Sequence, residues 1–581
     1  MSEIATNGDL TLENPAPSKG HPKGLWVLFG TEMWERFNFY GMRAVLTLFM
    51  VNALRLGESE ASIIYGGFLA LCYLTPLLGG FISDRFLGNR NCIMLGGTLM
   101  AIGQCLLFYS ANTFDGNLEL SKVWFWLGLT VIIFGNGFFK PNISSMVGSL
   151  YPAQEKSKLD SAFTIFYMGI NLGALFSQWL CPTIGDVKVN GVQDVHAFRW
   201  AYLAAGIAMI LGTLVFFFLK NKYVVTPEGK PIGARPAKTK EGDTDHVEKA
   251  KFTSASLGLV SVLFVVLFFI FRYILVSEFF FSSFAISTLV KGIIYPIIYA
   301  SGISLAVLIL LDKALTKVEI QRILVIYIIS FFIIFFWAAF EQAGSSLTFI
   351  ASNQTDRHFM FGWEMPASMV QIFNGLFVVI LAVPFSLMWD KLRAKKKEPT
   401  SPFKQAIGLL LIALSYFIIA YNVKDLGNSG LLAVKWLVLL YFIQTCGELC
   451  LSPIGLSLVG KLSPKRFSSL LYGVFFISNA AGYALAGTLG SIMPATGDKF
   501  KKAEGLGIDL QGVLDKKVIP TDAQLALLKE NQISNVYTQF AGFQIHNLYE
   551  FFMVFVVLCG IAAIILALIT PLLKKLMHGV K

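Results

Sequence analysis

GNGFFKPNISSMVGSLYP at 135–152 and GELCLSPIGLSLVGKLSP at 447–464 decide the fold, because the second repeats the first 312 residues later. Gly135, Pro141, Ser145, Val147, Gly148, Leu150 and Pro152 meet identical residues at Gly447, Pro453, Ser457, Val459, Gly460, Leu462 and Pro464 without a gap. Both stretches share an apolar bias, so some identity is unsurprising; seven matches in eighteen still favour duplication. Each copy closes a long apolar run of the kind that crosses a bilayer as a helix.

Such runs recur along the chain. Fourteen are expected, near 25–52, 61–83, 92–112, 123–146, 157–181, 199–220, 254–276, 286–312, 320–350, 366–389, 404–422, 433–460, 467–493 and 548–573. The 581 residues are 55% hydrophobic and 14% charged, against roughly 25% charged in a soluble domain. An ordinary soluble protein is excluded. The charges collect between the runs, so the net charge of +11 is read as membrane orientation and not as nucleic-acid binding.

The two copies end the fourth and twelfth runs, an offset that fits six helices, two inserted helices and six more. The expected division is a cytoplasmic tail over 1–24, a six-helix bundle over 25–220, and a polar cytoplasmic linker over 221–253. An inserted pair over 254–315, a second bundle over 316–575 and a tail over 576–581 follow. The second bundle carries a long outer loop at 494–547, for which a short covering helix or hairpin is considered. Parallel repeated halves with a substrate site between them at mid-membrane are the architecture of major facilitator transporters. Gly80-Phe-Ile-Ser-Asp84-Arg85-Phe-Leu-Gly88-Asn-Arg90, between the second and third runs, resembles that superfamily's G-x-L-x-D-R-x-G-R signature. The expected fold is therefore an all-α membrane protein of fourteen transmembrane helices, two six-helix bundles plus an inserted pair.

Lys and Arg concentrate in alternate loops, among them Arg85 and Arg90, the 220–251 stretch, Lys313 and Lys317, Lys391–Lys404, and Lys461–Arg466. The positive-inside rule then puts both termini in the cytoplasm, and short loops without a targeting segment suggest a cell (inner) membrane. The polar first 24 residues lack the short apolar core of a signal peptide. The seven cysteines form neither a CxxC nor a Cys/His metal spacing, and no cofactor beyond a coupling proton is expected.

Ionisable groups inside the runs mark function, because hydrocarbon penalises them. The first run holds Glu32, Glu35, Arg36, Tyr40 and Arg43 on one helical face, within an arc of about 140°. Lys140, Glu341 and Glu448 lie in the fourth, ninth and twelfth runs. Acids and bases so placed can pair across a cavity, and pairs switched by protonation can couple a proton to a conformational change. Arg272 and Lys291, near the outer ends of the inserted helices, are expected to snorkel. None of the six histidines lies inside a run, so proton coupling is assigned to carboxylates.

Glu32-Met-Trp-Glu35-Arg36-Phe37-Asn-Phe39-Tyr40-Gly41 resembles the E-x-x-E-R-F-x-Y-Y-G motif of the proton-dependent oligopeptide transporter (POT) family. Phe166-Tyr167-Met-Gly-Ile170-Asn171-Leu-Gly173 is similar to that family's F-Y-x-x-I-N-x-G signature. The resemblance covers all the runs, and two inserted helices are typical of bacterial members. It implies a symporter of di- and tripeptides with protons, working as a monomer. Glu32, Glu35 and Arg36 would form the proton-coupling cluster with Lys140 as partner. Arg36 and Lys140 would draw the peptide carboxylate, while Glu448, helped by Asn171 and Asn374, would hold the amino group. Arg43 and Glu341 would form a gate between the halves, and Tyr40, Tyr73 and Trp337 would line the pocket. Phe39 departs from the motif tyrosine, which bears on substrate preference. The same fold could carry nitrate, another anion or a modified amino acid, as plant relatives do; Glu448 argues against a small anion. No HExxH or GxSxG motif and no paired intramembrane histidines favour an enzyme.

Overall fold

The computed structural model describes residues 20–151, 158–226, 229–235, 252–277, 285–359, 362–427 and 430–580. The expected tail, up to residue 19, and most of the linker (236–251) lie outside them, as do Pro152 of the repeated motif and Lys156, a further basic residue of the expected cytoplasmic loops.

Apolar runs become helices because in hydrocarbon every backbone N–H and C=O must be satisfied within its own segment. The first group comprises α1 (Lys23–Asn52), α2 (Glu58–Ile82), α3 (Asn89–Thr113), α4 (Leu118–Ser149), α5 (Leu159–Gly185) and α6 (Phe198–Tyr223). These pack on one another, α3 on α4 and α6, α1 on α5 and α6. Next come α7 (Ser254–Val276) and α8 (Ile286–Leu310), which pack as a hairpin. The second group is α9 (Lys317–Phe340), α10 (Ile372–Ala394), α11 (Ser401–Val423), α12 (Val434–Leu462), α13 (Ser468–Gly490) and α14 (Leu548–Leu576). The repeated motifs end α4 and α12, as the offset requires. The groups meet where α2 packs on α13 and α5 on α10.

Twelve helical stretches among the described residues are long and apolar enough to cross a membrane. The expected fourteen would include α1 and α5, which are of spanning length (30 and 27 residues) but fall outside the twelve. The reason is polarity: α1 carries Glu32, Glu35, Arg36 and Arg43, and α5 carries Asn171, Ser177 and Gln178.

Two ends of the molecule differ. At one end Arg90 is buried and its guanidinium donates to the carbonyls of Lys220 (3.1 Å), Val224 and Ile232 (2.6 Å) and to Asn221 Oδ1 (2.9 Å). It thereby ties the end of α6, together with Val224 and Ile232 of the expected linker, to α3. Gly88 allows this approach: its φ is +74°, and a side chain there would collide with the Ala234 carbonyl. At the same end Arg466 reaches Ala314 O (2.9 Å) and Glu319 (3.0 Å), and Phe252 of the linker meets the Phe467 ring.

The opposite end carries the segment 494–547. It is a folded cap, not a loop with one covering element: helices Gly497–Gly505, Leu510–Leu514 and Asp522–Glu530 precede an antiparallel hairpin, Thr538–Phe540 with Phe543–Ile545. Ala503, Ile508, Leu510, Val513, Leu514, Leu528 and Ile533 form its own apolar core. Two-residue strand pairs at Lys188–Val189/Val192–Gln193 and Thr355–Asp356/Leu432–Ala433 lie at this end as well.

The expectation that Arg272 snorkels is wrong. It is 1% exposed and donates to Gly292 O at 2.8 Å. Gly292 lies in a π-helical turn, Val290–Ile294, whose wider winding loosens the backbone and presents that carbonyl. The guanidinium is therefore folded into the α7–α8 hairpin, while Lys291 is only half-buried.

Candidate functional site

α1 runs through the interior, and its charged face is satisfied there by other charges. Arg36 Nε lies 3.1 Å from Glu32 Oε1, one turn away, and also bonds Glu35 Oε2. Glu32, Glu35 and Arg36 are each at least 96% buried. Arg36 thus neutralises one carboxylate of two, leaving the trio with a formal excess of negative charge. Lys140 is the nearest remaining cation on this side, but it pairs with neither acid: no ion pair of Lys140 occurs among the described residues, and its ammonium sits 3.9 Å from the Tyr73 ring centre. Arg36, on the same helix as both acids, occupies the position that the resemblance would share with Lys140.

Two turns beyond Arg36, Arg43 Nη2 reaches Glu341 Oε2 at 2.8 Å, joining the first group to the second. Glu341 is aimed inward by a break in its helix. α9 ends at Phe340, a 3₁₀ turn covers Glu341–Gly344, and helix resumes at Ser346–Asn353. Freed backbone groups find side-chain partners: Thr47 donates to Gly344 O (2.9 Å) and Thr348 to Ala343 O (2.7 Å). Gln342 Nε2 binds Ala486 O on α13 (3.0 Å) and its Oε1 accepts from Ser346 (2.6 Å). Broken helices at membrane depth are tolerated where protein satisfies them in this way.

On α12, Glu448 Oε2 accepts from Asn374 Nδ2 of α10 at 2.9 Å, and the same amide reaches Thr445 Oγ1 at 3.1 Å. An aromatic series links the groups across the interior: Tyr73 to Tyr483 at 4.6 Å between ring centres, and Tyr483 to Trp337 at 5.8 Å.

These side chains surround one cavity of about 80 Å³, walled by Arg36, Tyr40, Arg43, Tyr73, Trp337, Glu341, Asn374 and Glu448. That holds a few water molecules. Arg36 Nη2, Trp337 Nε1 and Tyr441 Oη are buried and have no hydrogen-bond partner among the described residues, so polar valence on this wall is unspent. Phe39 also faces the cavity, under the Arg36 guanidinium and stacked on Phe68. Asn171 does not reach it; its amide turns back to Tyr167 O at 2.8 Å.

Sequence reasoning missed Gln178, Gln371, Tyr441 and Tyr483 in the wall. Tyr441 and Thr445 precede Glu448 by seven and three residues, and Gln371 precedes Asn374 by three, so helical spacing from the charged residues could have found them. Tyr483 carries no such signal. Also missed were the contacts that close the seam between the groups at the cap end. Asp186, 5% exposed, accepts from Ser368 N (2.8 Å) and Oγ (2.9 Å). Glu364 Oε1 takes both Lys188 Nζ (2.8 Å) and Arg357 Nη2 (2.7 Å), which holds its carboxyl below the usual range, the Lys188 hydrogen bond being the larger cause. Glu58 accepts from Asn353 at 2.8 Å. The polar contacts described between the groups lie at this end and in the interior.

Comparison with known proteins agrees with this geometry. The POT family profile matches residues 90–240 and 246–504. An uncharacterized transporter of Bacillus subtilis, YclF, is 32% identical over 80% of this chain and 87% of its own length. A di-/tripeptide transporter of Lactococcus lactis subsp. cremoris is 33% identical over 82% of this chain and 90% of its own. The crystal structure of a POT family transporter in complex with a thioalcohol-conjugated peptide superposes with a TM-score of 0.69 at 27% identity, covering 96% of this chain and 97% of that one. With apolar helices in number, an interior lined by paired charges and these matches, the chain belongs to the POT family of multi-span membrane transporters.

Proposed function

We propose that this protein is a proton-coupled symporter that imports di- and tripeptides by alternating access. The observation that carries the reading is the polarity of the central cavity: Arg36 on a wall from the first group, and Glu448 with Asn374 on a wall from the second. A peptide backbone is a zwitterion, and a cavity with a cation at one end and a carboxylate at the other recognises its two termini whatever the side chains. Glu448 disfavours a small anion as cargo.

Coupling follows from charge. Glu32, Glu35, Arg36 and Lys140 sum to zero when both acids are ionised. A proton on either acid makes that end of the cavity net positive, so the peptide carboxylate binds better once a proton has arrived. By linkage, peptide binding then favours proton uptake to the same extent. Arg43–Glu341 serves as the gate: a proton on Glu341 removes its charge and releases the seam. The sealed cap end corresponds in this reading to the outside face, closed.

The architecture belongs to the same proposal. It has fourteen spans, with bundles over 25–220 and 316–575 rocking about the cavity and the pair over 254–315 inserted between them. Both termini lie in the cytoplasm of the inner membrane, and the monomer is the working unit. Arg90, Arg466 and the linker meeting at one end support the relative placement of the basic loops.

The test is uptake into proteoliposomes. Labelled dipeptide should accumulate only with an inward proton gradient, and Glu35→Gln should lose accumulation while keeping some peptide exchange. Full concentrative uptake by that variant would sink the proton assignment. Competition by di-, tri- and tetrapeptides and by nitrate tests the cargo.

A further inference from the structure

The cap borders a second, partly open space, larger than the central one: about 760 Å³ between 494–547 and the cap-end turns of α2 and α8. Ligand sites commonly occupy about 300–1,000 Å³. Its walls have opposed charge. Glu58 and Glu60 come from the first turn of α2, where the helix start already favours them; Lys499 and Lys529 come from the cap, and Phe500 and Leu528 supply apolar surface between. Glu60 Oε1 accepts from Ser287 of α8 at 3.1 Å. Glu58 and Lys499 approach only to 3.8 Å, beyond hydrogen-bond length, and each side chain stays partly open, at 12% and 14%.

We propose that this space is a second peptide site, an antechamber at the cap end of the seam; the inference rests on the peptide cargo proposed above. The peptide ammonium replaces Lys499 beside Glu58, and the peptide carboxylate takes the released Lys499 and Lys529, so Glu58, Lys499 and Lys529 each gain a closer partner. The exchange also acts on the seam. Glu58 belongs to the first group, whereas both of its partners, Lys499 and Asn353, belong to the second. A peptide arriving there loosens one contact that holds the groups together at that end.

The experiment is saturation binding of a radiolabelled alanyl dipeptide to the purified full-length protein in nanodiscs. Two equivalents per chain are expected for the wild type, one for Glu448→Gln, and one for Glu58→Gln combined with Lys499→Ala, with affinity at the second site falling at least ten-fold. Lys499→Ala alone serves if the double variant does not fold, and Lys499→Arg should keep both equivalents. One wild-type equivalent that disappears with Glu448→Gln and ignores the cap substitutions overturns the antechamber and leaves the transport reading standing. Loss of binding only in the cap variants supports the antechamber and removes the central site. No binding at all by the wild type overturns both.

Discussion

Arg43 on α1 and Glu341 at the break after α9 meet at 2.8 Å, both more than nine-tenths buried, and so form the ion pair that joins the two helix groups in the interior. Removing one partner of a buried pair typically costs about 3–5 kcal/mol, because the other charge stays uncompensated. Glu341→Gln should therefore disfavour the state closed at the cap end. Spin labels at the exposed Asn190 and Trp363, on facing sides of that seam, should show a new population at longer distance. An unchanged distance distribution would count against the gate.

Glu448 should read the peptide amino group. A hydrogen bond to a charged group contributes about 1.5–3 kcal/mol, or roughly ten- to a hundred-fold in affinity. Glu448→Gln should raise the dipeptide KM by that range. An N-acetylated dipeptide, which lacks the ammonium, should bind weakly and equally to both proteins. Equal losses for both ligands would mean that Glu448 acts structurally.

Glu364 tests which carboxylates respond to pH. Its folded pKa lies below its unfolded one, since Lys188 and Arg357 favour the ionised form. The bridge is therefore fully present above the ordinary carboxylate value of about 4.3 and is lost as pH falls through the lower folded value. Across pH 5–8 it does not titrate. Glu364→Gln should lower the transport rate without changing the shape of its pH profile in that window, whereas Glu35→Gln should flatten it.

Arg272→Met should destabilise the α7–α8 hairpin by about 1–3 kcal/mol, the cost of leaving the Gly292 carbonyl without its donor. Thermal melting in nanodiscs should show it. The dipeptide KM should not move, because neither helix lines the central cavity.

The helices were legible because a bilayer enforces long apolar runs: α7 falls at Ser254–Val276 where 254–276 was expected. The clustering of interior charge was legible for the same reason, since charge inside such a run is conspicuous, and Arg43 with Glu341 and Glu448 with Asn374 come together in space. What stayed hidden depends on contacts distant in sequence. Arg272 is apolar-flanked and near a helix end, and only the π turn at 290–294 reveals that a carbonyl awaits it. Asn171 sits in a motif, yet a motif does not choose between the cavity and Tyr167 O. The cap core gathers Ala503, Val513 and Leu528 from short helices too polar to announce themselves, and Ile533 from the turn after the last of them.

That cap has one more consequence. Thr538 Oγ1 donates to Ile492 O at 2.7 Å, so the chain returns to the segment's entrance where the hairpin begins, after the three short helices. With a core of its own and stalks side by side, the cap is a detachable part: replacing 494–537 by a short Gly-Ser bridge should leave the membrane helices in register. A module built this way can be gained, lost or exchanged among transporters as a unit, changing what happens at the mouth without redesign of the machine beneath it.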